Sequence, residues 1–111
     1  MTGKIVVITS CGGKEEAERI ARLLLEERLA ACVSILPGVR SLYHWEGKIE
    51  NAAEVVMLIK TSEDKFEAVR GAIQRANSYQ VPEILALPVV AGASTYLGWL
   101  SAELDGTPQG E

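Results

Sequence analysis

Histidine and cysteine are scarce in this chain of 111 residues, which contains one histidine, His44, and two cysteines, Cys11 and Cys32. Histidine-assisted nucleophilic catalysis would have to use His44, and no residue near it in sequence would orient its ring as a base. The cysteines lack the Cys-x-x-Cys spacing of a zinc framework, and in a reducing compartment they would be free thiols. These absences argue against a self-sufficient enzyme and against a structural zinc site.

An excess of positive charge is also missing, because 15 acidic residues outnumber 11 basic ones and give a net charge of -4. Non-specific binding to nucleic acid relies on lysine and arginine to neutralise phosphates, so we expect no nucleic-acid partner. Long apolar runs are absent near the N-terminus, where the stretch from Ile5 to Thr9 is too short for a signal-peptide core or a membrane span. We therefore expect a cytoplasmic protein without a membrane partner.

The residues that are present have the balance of a globular protein, with 48% apolar and 23% charged residues. Runs typical of strands alternate with stripes typical of helices. In chain order they predict strand, helix, strand, strand, helix, strand and a short last helix, over residues 5–9, 14–30, 31–35 with 39–45, 55–59, 61–76, 84–90 and 94–104. This order is the α+β, ferredoxin-like βαββαβ arrangement. We predict one domain over residues 1–104 and a flexible tail over residues 105–111.

Each long predicted helix carries one apolar stripe, made of Ala17, Ile20, Ala21, Leu24 and Leu25 in the first and of Phe66, Val69, Ile73 and Ala76 in the second. Right-handed crossovers would place both helices on one face of the sheet. The unbroken apolar run from Val55 to Ile59 nevertheless predicts a strand that is buried on both faces. Something else, such as a second copy of the chain, must then cover the other face.

Two interpretations of Pro37-Gly38 remain open at this level: a type II turn, or a bend within one long strand. A strand of about 13 residues would span about 43 Å at roughly 3.3 Å per residue. The diameter of a compact domain of this size is about 34 Å. In the second interpretation, a long hairpin with its tip at Trp45 to Lys48 would therefore overhang its own domain, and this favours association with other copies.

Three groups of residues are candidates for binding chemistry. Cys11 lies between a predicted strand and a predicted helix, beside Lys14, where a thiol pKa is lowered and a thiolate can serve as metal ligand or nucleophile. The plainer interpretation is a tolerated loop cysteine. The spaced acids Glu46, Glu50 and Glu54 suit either a hard-cation patch or a solvated strand face.

The third candidate is the polar segment from Asn77 to Glu83, which precedes the last predicted strand, while Lys60 ends a neighbouring strand. Polar groups that converge at strand ends can form a small anion or metal pocket, especially when a subunit boundary closes it. The alternative is an ordinary turn in which Pro82 sets the geometry and Glu83 is solvated.

Several blocks of this sequence, taken in order, resemble the CutA divalent-cation tolerance family. They are ERLAACV at 27–33 with ILPG at 35–38, SLY at 41–43 with WEGK at 45–48, LIKT at 58–61, Tyr79 with VPEI at 81–84, and YLGWL at 96–100. The resemblance covers nearly all of residues 4 to 103. It implies a ferredoxin-like subunit, a tight homotrimer in which long hairpins reach the neighbours, and a role in tolerance of copper and other divalent metals. It also implies that Pro37-Gly38 is a bend within a long strand.

The resemblance further implies a ligand site near an inter-subunit cleft, formed by Lys60, Tyr79, Glu83 and Trp45, with Cys11 and Glu83 as candidate metal ligands for copper or another divalent cation. The family commonly has His-Pro-Tyr where this chain has Asn77-Ser78-Tyr79, and the family's proposed metal-binding thiol falls at Thr9. Cys11 can replace that thiol only if the loop allows it. We expect a CutA-like trimer that binds metal or a small ligand; the alternative is a PII-like trimer that senses small molecules.

Overall fold

The computed structural model describes residues 1–106, and the predicted tail beyond Gly106 lies outside the described residues. The elements are β1 (Lys4–Cys11), α1 (Lys14–Glu26), β2 (Cys32–Trp45), β3 (Lys48–Ser62), a 3-10 turn (Glu63–Lys65), α2 (Phe66–Ala76), β4 (Ile84–Pro88) and α3 (Ser94–Asp105). Gly106, with a positive φ of 81°, ends α3 in the left-handed conformation that suits glycine. None of the helices within residues 1–106 is long and apolar enough to cross a membrane.

The four strands form one antiparallel sheet in the order β2-β3-β1-β4. The predicted α+β, ferredoxin-like arrangement is confirmed. The predicted strand at 84–90 is two residues shorter than expected and ends at Pro88, which cannot donate a ladder hydrogen bond and lies on an edge strand.

The core lies between α1, α2 and one face of the sheet, which we call the covered face. Its largest fully buried side chains include Val7, Met57, Ile59, Ile20, Leu24, Val69 and Ile73. The prediction that Leu25 belongs to the apolar stripe of α1 was wrong, because Leu25 is 39% exposed. Positions 17, 20, 21 and 24 already complete a stripe two turns long, and Leu25 falls at its margin.

Strands β2 and β3 form a long hairpin, and each strand is continuous, with 14 residues in β2 and 15 in β3. Pro37-Gly38 forms a β-bulge between Leu36 and Val39, where Gly38 has φ 78°, so the interpretation as a bend in a long strand is confirmed. Glu46 and Gly47 close the tip with φ of 51° and 81°, the pattern of a type I′ turn. The molecule is 50 Å long and 26 by 24 Å across, because the hairpin extends beyond the helices.

The opposite face of the sheet, which we call the open face, is not covered by α1 or α2. Residues directly opposite each other in a ladder point to the same face, so the register places these apolar side chains on it: Val6, Ile8, Leu36, Val56, Leu58, Leu85 and Leu87. Helix α3 covers only one end of this face, near Lys4 and Ser62. On β3, the covered face is therefore buried from Val55 to Thr61, and the open face is only partly covered.

Candidate functional site

A cleft of about 540 Å³ lies at the end of the open face, where the hairpin leaves the body of the domain. It is lined by Ser10, Ser41, Leu42, Tyr43, Trp45, Glu50, Glu54, Tyr79, Gln80, Val81 and Glu83. Of the predicted ligand residues, Trp45, Tyr79 and Glu83 meet here. The hairpin and the segment before β4 thus supply two walls of one concavity.

Strand alternation explains the hairpin wall. Side chains two apart point to the same face, so Ser41, Tyr43 and Trp45 share one side of β2. Glu50 lies opposite Tyr43 in the ladder and therefore projects to that same side. Leu42 and His44 have the opposite parity; Leu42 is nevertheless among the lining residues, whereas His44 is not.

The second wall is the segment of residues 77–83, which Asn77 attaches to the end of β1. The Asn77 carboxamide Nδ2 donates to the Ser10 carbonyl oxygen at 3.0 Å, and its Oδ1 accepts from the Tyr79 backbone N–H at 2.8 Å. Ser78 donates from its backbone N and its hydroxyl to the Glu16 carboxylate on α1, at 2.6 and 3.1 Å. The residue that stands in place of the family's usual histidine therefore has a structural role.

These attachments hold the Tyr79 ring against Gly12, where an added Cβ would lie 3.8 Å from both the ring edge and the hydroxyl. Burial raises the pKa of Tyr79, and a hydrogen bond between its side chain and Glu54 raises that pKa further. Both causes favour the neutral phenol. Ser10, only 5% exposed, also donates to the Glu54 carboxylate at 3.4 Å.

The charge in the cleft has one sign. Glu50, Glu54 and Glu83 contribute three carboxylates, and none of the lining residues is lysine, arginine or histidine. Of the spaced acids considered in the sequence, Glu50 and Glu54 line the cleft, while Glu46 sits in the hairpin turn. Such a surface attracts cations and repels anions.

Lys60 is not part of this cleft within one protomer. It lies six residues beyond Glu54 on β3, about 20 Å along the strand. Its Nζ donates to the Ser34 hydroxyl at 2.8 Å and to the Cys32 Sγ at 3.6 Å. The expectation that Lys60 joins Tyr79 and Glu83 at one site would need a Lys60 from another subunit, and it stays a prediction.

The structure corrects the argument made for Cys11. This residue ends β1 instead of lying in a loop, it is fully buried, and burial raises the pKa of its thiol instead of lowering it. Its thiol donates to the Gly13 carbonyl oxygen at 3.5 Å. The environment therefore favours the neutral thiol, not the thiolate that binds metals. Its assignment as a metal ligand stays a prediction that has lost its electrostatic basis.

A soft copper site does not fit the donors near this cleft. Both polar atoms of Asn77 are engaged in hydrogen bonds, and Thr9, at the position of the family's thiol, is buried with its hydroxyl unpartnered. Within residues 1–106, no three histidine, cysteine, aspartate or glutamate side chains are grouped closely enough to hold a metal ion. What the cleft offers are hard oxygen donors, which suit ions such as Mg²⁺ or Mn²⁺.

Sequence reasoning missed Ser10, Ser41 and Tyr43 as cleft residues. It also missed the hydrogen bonds by which Asn77 attaches the segment of residues 77–83 to β1. For Ser41 and Tyr43 the signal was present, because both share their strand face with Trp45. Ser10 was assigned to a loop, whereas it is the penultimate residue of β1. No spacing in the sequence indicated that Asn77 would bond to a residue 67 positions earlier.

Comparison with known proteins gives one consistent result. The model of the family described as CutA1 divalent ion tolerance protein matches residues 5–103. The divalent-cation tolerance protein CutA of Pectobacterium atrosepticum is 47% identical over 100 residues, which are 90% of this chain and 91% of that protein.

Solved structures agree in fold. The CutA structure from Xylella fastidiosa has a TM-score of 0.90 at 39% identity, covering 93% of this chain and 99% of that one. The CutA structure from Archaeoglobus fulgidus, described as a periplasmic divalent cation tolerance protein, has a TM-score of 0.89 at 42% identity and covers 91% and 98%. These similarities do not favour the PII-like alternative. The resemblance seen in the sequence is confirmed, and the chain belongs to the CutA1 divalent ion tolerance family.

Proposed function

We propose that this protein serves divalent-cation tolerance as a homotrimer, in which the acidic cleft lies at a subunit boundary and binds divalent cations. The observation that carries the proposal is the cleft itself, where Glu50, Glu54 and Glu83 face one concavity whose lining has no basic side chain. A small anion, the other ligand class considered from the sequence, would meet three like charges there. The family is named after tolerance of divalent ions, and its name refers to no reaction. We therefore propose a binding protein and not an enzyme.

Self-association is supported by the open face. Leu36, Leu85 and Leu87 are 40%, 57% and 49% exposed there, beside partly buried Val56 and Leu58. A contiguous exposed apolar surface on a soluble protein marks an interaction site. The overhanging hairpin adds exposed Leu42 and Ile49 at 68% and 69%. A second and a third copy would cover both surfaces and place each cleft beside a neighbour.

The donor chemistry suits divalent cations that accept carboxylate oxygens and does not suit Cu(I), which takes soft thiolate and thioether ligands. Carboxylate oxygens bind Mg²⁺ and Mn²⁺, and such ions often keep several waters while one or two protein carboxylates hold them. This mode does not require three protein ligands around one point, and residues 1–106 of one chain do not provide them. We therefore expect weak, exchangeable binding, as suits an ion that the protein takes up and releases. A cytoplasmic location remains part of the proposal.

Two measurements test this function on the intact chain. Light scattering coupled to gel filtration should give three times the 12.0 kDa of one chain. Calorimetric titration should show Mn²⁺ binding that is weakened at least tenfold in the double variant Glu54→Gln, Glu83→Gln. Glu63→Gln, which removes one exposed charge outside the cleft, is the control and should bind Mn²⁺ normally. A monomeric mass, or Mn²⁺ affinity unchanged by the double variant, would refute the proposal.

A further inference from the structure

We infer that the same cleft also binds an organic cation, an elongated alkylammonium compound of the polyamine class. The inference rests on the proposed function in one respect, namely that the cleft is a site for cations. It goes further by assigning a second ligand class that uses features of the cleft for which a metal ion has no need.

The first such feature is size. The cleft encloses about 540 Å³, which lies within the range of about 300–1,000 Å³ that is usual for sites of small organic ligands. A hydrated metal ion with its waters would leave most of this volume to bulk solvent, since one water occupies about 30 Å³. The geometry therefore suits an organic molecule better than a single ion.

The second feature is the aromatic content of the walls. Tyr43, Trp45 and Tyr79 all line the cleft, and they are three of the six aromatic side chains in the chain. Tyr43 is 43% exposed and Trp45 is 37% exposed, so their rings are accessible from the cleft. Aromatic faces attract ammonium groups through cation–π interactions and cover the alkyl parts between them. Apolar Leu42 and Val81 extend the same lining.

The third feature is the spacing of the carboxylates. Glu50 and Glu54 project to the same side of β3 and are about 13 Å apart along the strand. Glu54 accepts from the Ser10 hydroxyl at 3.4 Å, so this carboxylate lies beside the end of β1. A ligand with an ammonium group at each end can donate to both carboxylates while its chain lies along the aromatic residues. A compact monovalent amine can reach only one of them.

Lysine side chains carry the same chemistry, so the protein itself is a second source of ammonium groups. Lys48 lies opposite Trp45 at the hairpin tip and therefore on the cleft side of β3, but it is not a lining residue of its own cleft. A lysine from a neighbouring copy could occupy the cleft in an assembled oligomer. The experiment must separate a free amine from such a side chain.

The test is calorimetric titration of the intact, assembled protein with spermidine and, in parallel, with Mn²⁺ at constant ionic strength. Spermidine should bind with one site per chain and change the fluorescence of Trp45. Trp45→Leu should weaken spermidine on the order of tenfold and leave Mn²⁺ affinity unchanged, because only the amine uses the ring. Glu54→Gln should weaken both ligands. Leu25→Ala, which removes an exposed apolar side chain of α1 outside the cleft, is the control and should change neither affinity by more than about twofold.

The outcomes separate the two proposals. If Mn²⁺ binds and spermidine does not, or if Trp45→Leu weakens both ligands equally, the organic-cation site is refuted while the proposed function stands. If spermidine binds and Mn²⁺ does not, the divalent-cation function fails while this site stands. Lys48→Met should bind spermidine like the unaltered chain; a gain of tenfold or more would mean that a lysine of the protein fills the cleft, and would overturn the assignment to a free ligand.

Discussion

The two faces of the sheet carry similar apolar side chains but differ in how completely those side chains are buried. Ile59 and Leu58 are neighbours on β3, yet Ile59 is completely buried under the helices and Leu58 lies on the open face with only partial cover. On the covered face, α1 and α2 of the same chain bury the apolar side chains that lie beneath them. On the open face, α3 covers only one end, and apolar and acidic residues share the remainder.

This difference indicates where stability and function reside. The covered face is complete within one chain, so its residues contribute mainly to folding. The open face and the hairpin that extends it carry the cleft, the exposed leucines and three aromatic residues, so the proposed ion binding and association depend on them. A residue's face is therefore a better guide to its role here than its type.

The largest expected effect comes from truncation on the covered face. Ile59→Ala should lower the free energy of unfolding by about 2–5 kcal/mol, because it leaves a cavity among rigidly packed neighbours. This loss should appear in urea unfolding at every protein concentration, since the cavity lies within one chain.

The matched variant Leu58→Ala on the next residue sharpens the contrast. In an assembly its cost should grow with protein concentration, because association and not the fold of one chain would bury that side chain. Equal and concentration-independent losses for both variants would contradict the distinction between the two faces.

An intermediate effect is expected at Asn77, which joins the cleft segment to β1. Asn77→Ala removes the donor to the Ser10 carbonyl and the acceptor for the Tyr79 N–H, so it should cost about 1–3 kcal/mol in urea unfolding. It should also speed amide hydrogen exchange at Tyr79. Asn77→Asp retains the acceptor oxygen and should protect Tyr79 better than alanine does. Unchanged exchange in Asn77→Ala would show that packing on Gly12, and not Asn77, holds the ring.

Much of the fold was predictable because it follows from local patterns. Apolar stripes located α1 and α2, the β-branched run located β1, and the order of elements gave the topology. The exposure of Leu25 shows the limit: periodicity defines a helix face, but the width of the buried stripe depends on what packs against it. Likewise, Pro37-Gly38 fits both a turn and a bulge locally, and only pairing with β3 determines which one forms.

The site was predictable only in part, because it depends on distant contacts. Trp45, Tyr79 and Glu83 were assigned by resemblance and do meet in one cleft, whereas Lys60 lies at the other end of the sheet. Cys11 shows the same limit. Its neighbours in sequence indicated a lowered thiol pKa, but β1 ends two residues further on than the pattern showed, and this places the thiol in the core. The pKa of a group depends on its burial, which sequence spacing does not reveal.

The smallest expected effect concerns Tyr79 at high pH, and it probes the wall of the cleft that residues 77–83 form. Burial and Glu54 raise the pKa of Tyr79 above its ordinary value of 10.0, so the unfolded chain loses this proton at a lower pH than the folded chain. The contribution to stability is therefore complete below pH 10 and declines as the pH rises above it. Tyr79→Phe should make that decline shallower in urea unfolding between pH 9 and 11.

Part of the alkaline decline should persist in Tyr79→Phe, because burial also raises the pKa values of Tyr96 and of the Cys11 thiol. Glu54→Gln gives the sharper test, since it removes the carboxylate that faces Tyr79 while keeping the phenol. It should lower the pH at which tyrosinate absorbance develops in the folded protein, and Tyr96→Phe should leave the Tyr79 component in place. If the alkaline slope is the same with and without the Tyr79 hydroxyl, the phenol ionises as freely as in the unfolded chain, and this side of the cleft is as open to water as the hairpin side.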